Sequence, residues 1–370
     1  MTSRLSALLL AFLAIALFFV VRVPDFLGPR NLSLLMIDFA ITATLAVGML
    51  LVILPGHIDL SAGSGVGLIG GVSAVLMTNY GWHPAAAMLA GLGAALALWW
   101  AMGNLIVRQR IPAFIITLGG LLVFKGLFWL VIGSHTIPIS VGGKANLYSA
   151  LTTYYLPPRA GLVLAGVIIV GLIASTLRGR AQRLAHGLSL EDGEPTFLRV
   201  FIAAQLILLF VLVTNQFRGV PLPAIILGAV AFTVWLLTQH TPWGRHLYAI
   251  GGNEEAALIS GVPVERVTIG AFTLMGAIVA LTGLMQTAYG GASTTTVGEL
   301  MELDAVAACV IGGTSLKGGR GSVFGVLFGA LIMACLINGL TLLAVPPEIK
   351  YIARGAVLIA AVWMDVKLAR

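Results

Sequence analysis

Apolar runs separated by short polar or basic breaks fill the chain from end to end. They cover residues 5–21, 34–54, 60–78, 85–107, 112–132, 161–177, 198–217, 223–238, 267–288, 303–311, 323–345 and 349–364. A helix needs about 20 apolar residues to cross the hydrocarbon of a bilayer. The pattern therefore predicts an all-α, polytopic transmembrane helical bundle of about twelve spans, some short or broken, in one domain over 1–370. Segment 303–311 is too short to cross alone; it is either re-entrant or continues through Gly312 and Gly313. The first run follows Arg4, as a secretory leader would, but its core is long and Val21-Arg22-Val23-Pro24 replaces a small-residue cleavage site, so it is read as a span.

Basic residues set the orientation. With Met1 inside, the inner breaks hold Arg4, Arg108, Arg110, Arg178, Arg180, Arg183, Arg199, Arg245, Arg266, Lys317, Arg320, Lys367 and Arg370; the outer ones hold Arg22, Arg30, Lys144, Arg159 and Arg218. This is the imbalance of the positive-inside rule, and both termini are expected in the cytoplasm. The net charge of +7 then calls for no nucleic acid, and no basic-aromatic patch suggests one. Composition agrees with a lipid environment: 59% of residues are hydrophobic and 9% charged, against about 25% charged in soluble domains.

The outer loop 133–158 has room for a short surface helix, and the inner stretches 178–199 and 239–266 are too small for a soluble catalytic domain. Energy must come from another chain or from an ion gradient. Cys309 and Cys335 each lie inside an apolar run, as buried thiols rather than a disulfide framework.

One inner stretch is written as a short helix with both ends specified. In Gly251-Gly252-Asn253-Glu254-Glu255-Ala256-Ala257-Leu258-Ile259-Ser260-Gly261-Val262-Pro263, Asn253 is a good N-cap and the two glutamates suit the positive end of the helix dipole. Gly261 suits a left-handed cap before Pro263 stops continuation. Two turns are unstable alone, so the membrane domain or a docked partner must hold them. Ala256 and Ala257 are small enough to let another surface approach the backbone.

Tyr248-Ala249-Ile250-Gly251-Gly252-Asn253 through Gly261-Val262 resembles the cytoplasmic loop of sugar-type ABC importer permeases, the ribose and xylose permease family. Gly56-His57-Ile58-Asp59-Leu60-Ser61-Ala62-Gly63-Ser64 resembles that family's Gly-Gly-Ile-Asp-Leu-Ser-x-Gly-Ser motif, with His57 in place of the second glycine. Glu302-Leu303-Asp304-Ala305 through Val310-Ile311-Gly312-Gly313-Thr314-Ser315-Leu316 resembles its late Gly-Gly-Thr segment. The matching stretches cover about 34–132 and 243–365; the block 178–239, an inner stretch with two spans, exceeds the ribose-type pattern and is similar to the longer xylose-type permeases.

The resemblance implies the membrane subunit of an ATP-driven, binding-protein-dependent monosaccharide importer in a bacterial inner membrane, a xylose-like pentose being favoured. It implies a homodimer, a cytoplasmic ABC ATPase that carries ATP and Mg, and a periplasmic sugar-binding protein; no cofactor, metal or catalytic residue is expected on this chain. It also implies a coupling helix within 251–263, with Gly252, Asn253, Glu254, Glu255, Ala256, Ala257, Ser260 and Gly261 meeting the ATPase.

Asp38, Asp59, Lys125, Glu348 and Arg354 lie in or beside spans, where a charge must be paired, reach water or snorkel to a helix end. With Ser61 and Ser64, Asp59 suits capping of the helix that follows; the role of Asp38 stays open. Asp38, Asp59, Asn104, Thr117, Asn338 and Thr341 are candidates for a translocation path, interhelical hydrogen bonding being the alternative. Gly67, Gly70, Gly71 and Ala74 form a small-residue face for helix packing.

Two other solute carriers fit the pattern: a branched-chain amino acid ABC permease, and an ion-coupled secondary transporter using Asp38 or Asp59. A membrane enzyme does not fit, because the six histidines form no paired metal-ligand spacing. Gly312-Gly313-Thr314 with Lys317-Gly318-Gly319-Arg320-Gly321 lacks the Gly-Lys-Ser/Thr spacing of a phosphate loop and reads as a tight inter-helix turn.

Overall fold

The computed structural model describes residues 2–140, 144–187 and 193–368. Among them are α1 (Thr2–Arg22), α2 (Pro29–Ile53), α3 (Ala62–Thr78), α4 (Pro84–Arg108), α5 (Ala113–Ile132), α6 (Leu147–Thr153), α7 (Pro158–Ala185), α8 (Gly193–Asn215), α9 (Leu222–His240) and α10 (Pro242–Gly252). They are followed by α11 (Glu254–Ile259), α12 (Val264–Gly290), α13 (Met301–Ile311), α14 (Val323–Leu342) and α15 (Pro347–Leu368). Two-residue strands β1 (Ile137–Pro138) and β4 (Ala292–Ser293) pair antiparallel, as do β2 (Tyr155–Leu156) and β3 (Val220–Pro221). Residues 141–143 and 188–192, within two of the predicted loops, lie outside the described residues, as do Met1 and Arg370 of the predicted termini.

Each of the twelve predicted apolar segments falls on a helix, and eight of those helices are long and apolar enough to span a bilayer. For two of the remaining four the cause is geometric. At 1.5 Å per residue, the 17 residues of α3 and the 11 of α13 reach only about 26 and 16 Å, against about 30 Å of hydrocarbon. Segment 303–311 does not continue through the glycines: α13 stops at Ile311, and Gly313, Gly318 and Gly319, all with positive φ, make the predicted tight turn into α14.

Prolines at the first turns of α2, α4, α7, α9 and α10 start those helices where a missing N–H does no harm. The core lies along α2, which is buried without interruption from Ala43 to its C-cap Leu54, and is completed by α3, α4 and α12 around Val66, Trp99, Phe272 and Met275. Close approach there depends on small residues: a Cβ on Gly283 of α12 would lie 2.5 Å from the Val66 carbonyl oxygen of α3. The predicted small-residue face is used as expected, with Gly70 against α12 and Gly71 against Phe128. By contrast α5, α7 and α8 leave apolar side chains such as Leu130, Val167 and Leu206 bare, as lipid-facing helices do.

The helix expected on the surface of loop 133–158 is α6, and it does not stay on the surface. Its Tyr148 is fully buried and donates through its hydroxyl to the Gly70 carbonyl at 3.0 Å. An aromatic residue with one polar tip can plug a bundle and satisfy a carbonyl at once, which polarity along the loop did not reveal. The strand pairs and α6 mark one end of the bundle, and α10 and α11 mark the other.

Candidate functional site

The helix predicted inside 251–263 forms as α11. Asn253 Oδ1 accepts from the Ala256 N–H at 2.9 Å, and Gly261 takes φ +82° while the Val262 N–H closes onto the Ala257 carbonyl at 3.0 Å. Gly251 and Gly252 belong instead to the end of α10, a separate helix whose start is capped by Thr241. Ala256 is exposed, but Ala257 faces inward and is 5% exposed, so it is not free to receive another surface. The bare apolar groups are its neighbours Leu258 and Ile259, the latter 87% exposed. Sequence reasoning passed over them because capping rules concern helix ends; an Ile and a Leu in a charged polar break were the available signal.

Beneath α11 the chain packs backbone on backbone. A Cβ on Gly251 would collide with the Leu54 carbonyl oxygen and the Gly319 nitrogen, and Gly319 N–H donates to Leu54 O at 2.9 Å. The end of α10, the end of α2 and the turn between α13 and α14 thus meet at one point. Tyr248 tightens it, its hydroxyl donating to the Gly321 carbonyl at 2.9 Å. Burial raises the phenol above its ordinary pKa, so the hydroxyl keeps its proton and stays a donor. Alongside runs a groove of about 720 Å³, lined by His57, Ile58, Arg110, Phe114, Glu254 and Leu258 among others.

Two helix breaks lie deeper. Between α2 and α3 the chain is non-helical, and Asp59, fully buried, holds it. Asp59 Oδ1 accepts from the Ser61 N–H at 2.9 Å and from its hydroxyl at 2.6 Å, and Oδ2 accepts from the Trp99 indole N–H at 2.6 Å. Thr117 donates to the Ile58 carbonyl at 3.1 Å. No side chain caps the first N–H groups of α3; Asp59 instead holds Ser61, just ahead of that helix, and Trp99 and Thr117 reach the break from helices that local sequence could not name.

The second break follows α12. Residues 291–300, between the predicted segments 267–288 and 303–311, pass through β4 and run back along α3 until the Val297 carbonyl lies 2.5 Å from where a Cβ on Gly67 would be. Gly298 and Glu302 then press on Gly63, so the starts of α3 and α13 meet inside the bundle.

The other candidates are dispersed. Asn338 and Asn31 exchange amide hydrogen bonds at 3.0 and 3.1 Å, joining α14 to α2. Asn104 donates to Trp100 O and Thr341 to Ile337 O, each within its own helix, and Lys350 donates to Thr341 Oγ1. Asp38 lies beside Tyr289 of α12. Arg354 of α15 pairs with buried Asp304 of α13 at 3.3 Å, so it turns inward rather than snorkelling.

Comparison with known proteins places this architecture. Residues 31–362 match the family described as branched-chain amino acid transport system / permease component. The chain is similar to the xylose transport system permease protein XylH of Escherichia coli (strain K12), 39% identical over 361 residues, covering 96% of this chain and 90% of the relative. It is 38% identical over 362 residues to the protein of that name from Haemophilus influenzae, covering 97% and 95%. Similarity to the ribose import permease protein RbsC of Bacillus subtilis is 33% over 344 residues, covering 93% and 87%. No solved structure matches.

Proposed function

The chain belongs to the branched-chain amino acid transport system / permease component family, and from that membership we propose that it forms the membrane path of an ATP-driven, binding-protein-dependent importer of a pentose such as xylose. Relatives named for xylose and ribose, similar over more than nine-tenths of this chain, favour a sugar over the amino acids in the family's description. The site is one of transport and not of covalent chemistry.

The observation that carries the mechanism is α11, capped at both ends, with Leu258 and Ile259 bare beside Glu254 and Glu255. An ABC ATPase, holding ATP and Mg, docks on this helix. Arg110, Lys317 and Arg320 in the breaks, with Arg245 of α10 and Arg266 at the start of α12, gather at the same end, which supports a cytoplasmic position for that end and for both termini in a bacterial inner membrane. A periplasmic sugar-binding protein delivers solute at the strand end, and a second copy of the chain closes the path.

Because Gly251 abuts Leu54 and Gly319 without intervening side chains, a push on α11 moves the α2–α3 break and the α13–α14 turn together. Each carries a short helix whose start lies inside the bundle, so a small displacement at the surface reaches the path as a shift of two packed elements. In this reading Asp59, Thr117 and Asn338, each engaged by another element, support the path. Asp38, Asn104 and Thr341 are left at its margins.

The test replaces Ile259 with arginine. The variant is expected to fold, to lose co-purification with the ATPase and to lose ATP-dependent xylose uptake in proteoliposomes. Uptake that ignores ATP and collapses with an ionophore would instead establish the ion-coupled class.

A further inference from the structure

Segment 291–300 poses a physical problem that the coupling mechanism does not use. From Thr78, whose hydroxyl donates to Pro138 of β1 at the strand end, back to Gly67 is eleven residues of α3, or about 16 Å. Val297, lying against Gly67, is therefore well inside the hydrocarbon depth, and Gly298 on Gly63 is deeper still. Yet the segment is not helical, and Thr296 and Glu299 are exposed on this chain. Irregular backbone at such depth is tolerated only where protein covers it or water fills a cavity beside it.

The neighbouring surface repeats the anomaly. Lys125 is exposed on α5, seven residues or about 11 Å from the outer end of that helix. Its ammonium lies 5.7 Å from the ring centre of Trp129, a residue 45% exposed whose indole N–H donates to the Thr295 carbonyl at 3.4 Å. The hydroxyls of Thr294 and Thr296 lie 3.1 Å apart beside it. Around this strip α5 is bare and apolar through Leu122, Val123 and Leu130. An exposed ammonium, an exposed carboxylate and a row of hydroxyls at this depth cannot face lipid.

We propose that Lys125, Trp129, Thr296 and Glu299 form a sugar-contact strip on one wall of the translocation path, with Trp129 as a stacking platform and the charged and hydroxyl groups as transient hydrogen-bond partners. The proposal rests on the importer reading above and names the wall that reading leaves unassigned. The chemistry suits a neutral polyhydroxylated solute. An indole ring offers its face to the C–H side of a pyranose, while carboxylate and threonine oxygens accept from sugar hydroxyls and the ammonium donates to them. Ion pathways are lined by one sign of charge; here both signs stand on one strip. A few shallow contacts hold solute without trapping it, as conduction requires. The strip is one-sided, so the second copy supplies the opposite wall.

The test uses the full complex, with its ATPase and binding protein, in proteoliposomes. The native thiols Cys309 and Cys335 are buried, so Thr296→Cys adds one reporter on a silent background. Its labelling by a water-soluble, charged thiol reagent is expected, and xylose-loaded binding protein with ATP is expected to change the labelling rate. In parallel Trp129→Leu is expected to cut xylose uptake roughly tenfold, the scale of one lost aromatic contact, while ATPase co-purification and basal ATP hydrolysis persist. Thr296→Cys that resists the aqueous reagent, or Trp129→Leu that imports at the unsubstituted rate, overturns the strip even though the importer reading stands. Thr296→Cys complex that labels, alongside unsubstituted complex that imports no pentose, overturns the importer reading beneath it, and the sugar assignment with it.

Discussion

The two helix breaks solve the same problem in opposite ways. At the α2–α3 break the backbone is dry: Asp59 is fully buried and both of its carboxylate oxygens are engaged, by Ser61 and by Trp99. At the α12–α13 break the backbone is partly bare, with Thr296 and Glu299 exposed and their polar groups left for water or solute. A break satisfied from within is a rigid hinge seat, and a break left open is a surface for cargo. The sequence motif around Asp59 is the more conspicuous of the two, but the open break is the better place to look for substrate.

Substitutions of graded severity sharpen this contrast. The largest effect is expected from Asp59→Ala, which strands the Trp99 indole N–H and the Ser61 donors in a water-free site. A loss of about 3 kcal/mol or more should appear as failure to recover monodisperse protein from detergent. Gly251→Ala, at the point beneath the dry break, forces backbone apart and is expected to cost about 2 kcal/mol by overpacking. Its distinguishing readout is ATP hydrolysis that continues without matching uptake. Asn31→Ala, at the opposite end of α2 from the dry break, removes one reciprocal amide pair and should lower thermal stability by about 1 kcal/mol. Thr296→Val on the open break is expected to change stability by less than about 0.5 kcal/mol while slowing transport. Equal destabilisation by Asp59→Ala and Thr296→Val would erase the distinction between the breaks.

Much of this was legible beforehand for identifiable reasons. Local rules suffice where the cause is local: Asn253 caps α11, Gly261 ends it, and the apolar runs lie on helices. The bond of Asp59 to nearby Ser61 was legible for the same reason, although it falls short of capping α3. What escaped depends on partners distant in the chain. Trp99 reaches Asp59 from α4, and Ala257 faces inward because of packing rather than helix propensity. Residues 291–300 look like an outer loop, since Gly290-Gly291 and three consecutive threonines carry no hint that the chain turns back into the bundle. Composition records polarity and not depth, and depth is what gives those threonines their meaning.

Coupling requires α11 to be the surface where a separate motor delivers its work. An Ile259→Cys chain, whose two native thiols are buried, can be exposed to a membrane-impermeant maleimide in sealed vesicles of either orientation, with and without the ATPase. Labelling is predicted only from the cytoplasmic side, and rebound ATPase is predicted to block it. Labelling from the outside, or labelling indifferent to the ATPase, would contradict the coupling role assigned to this helix.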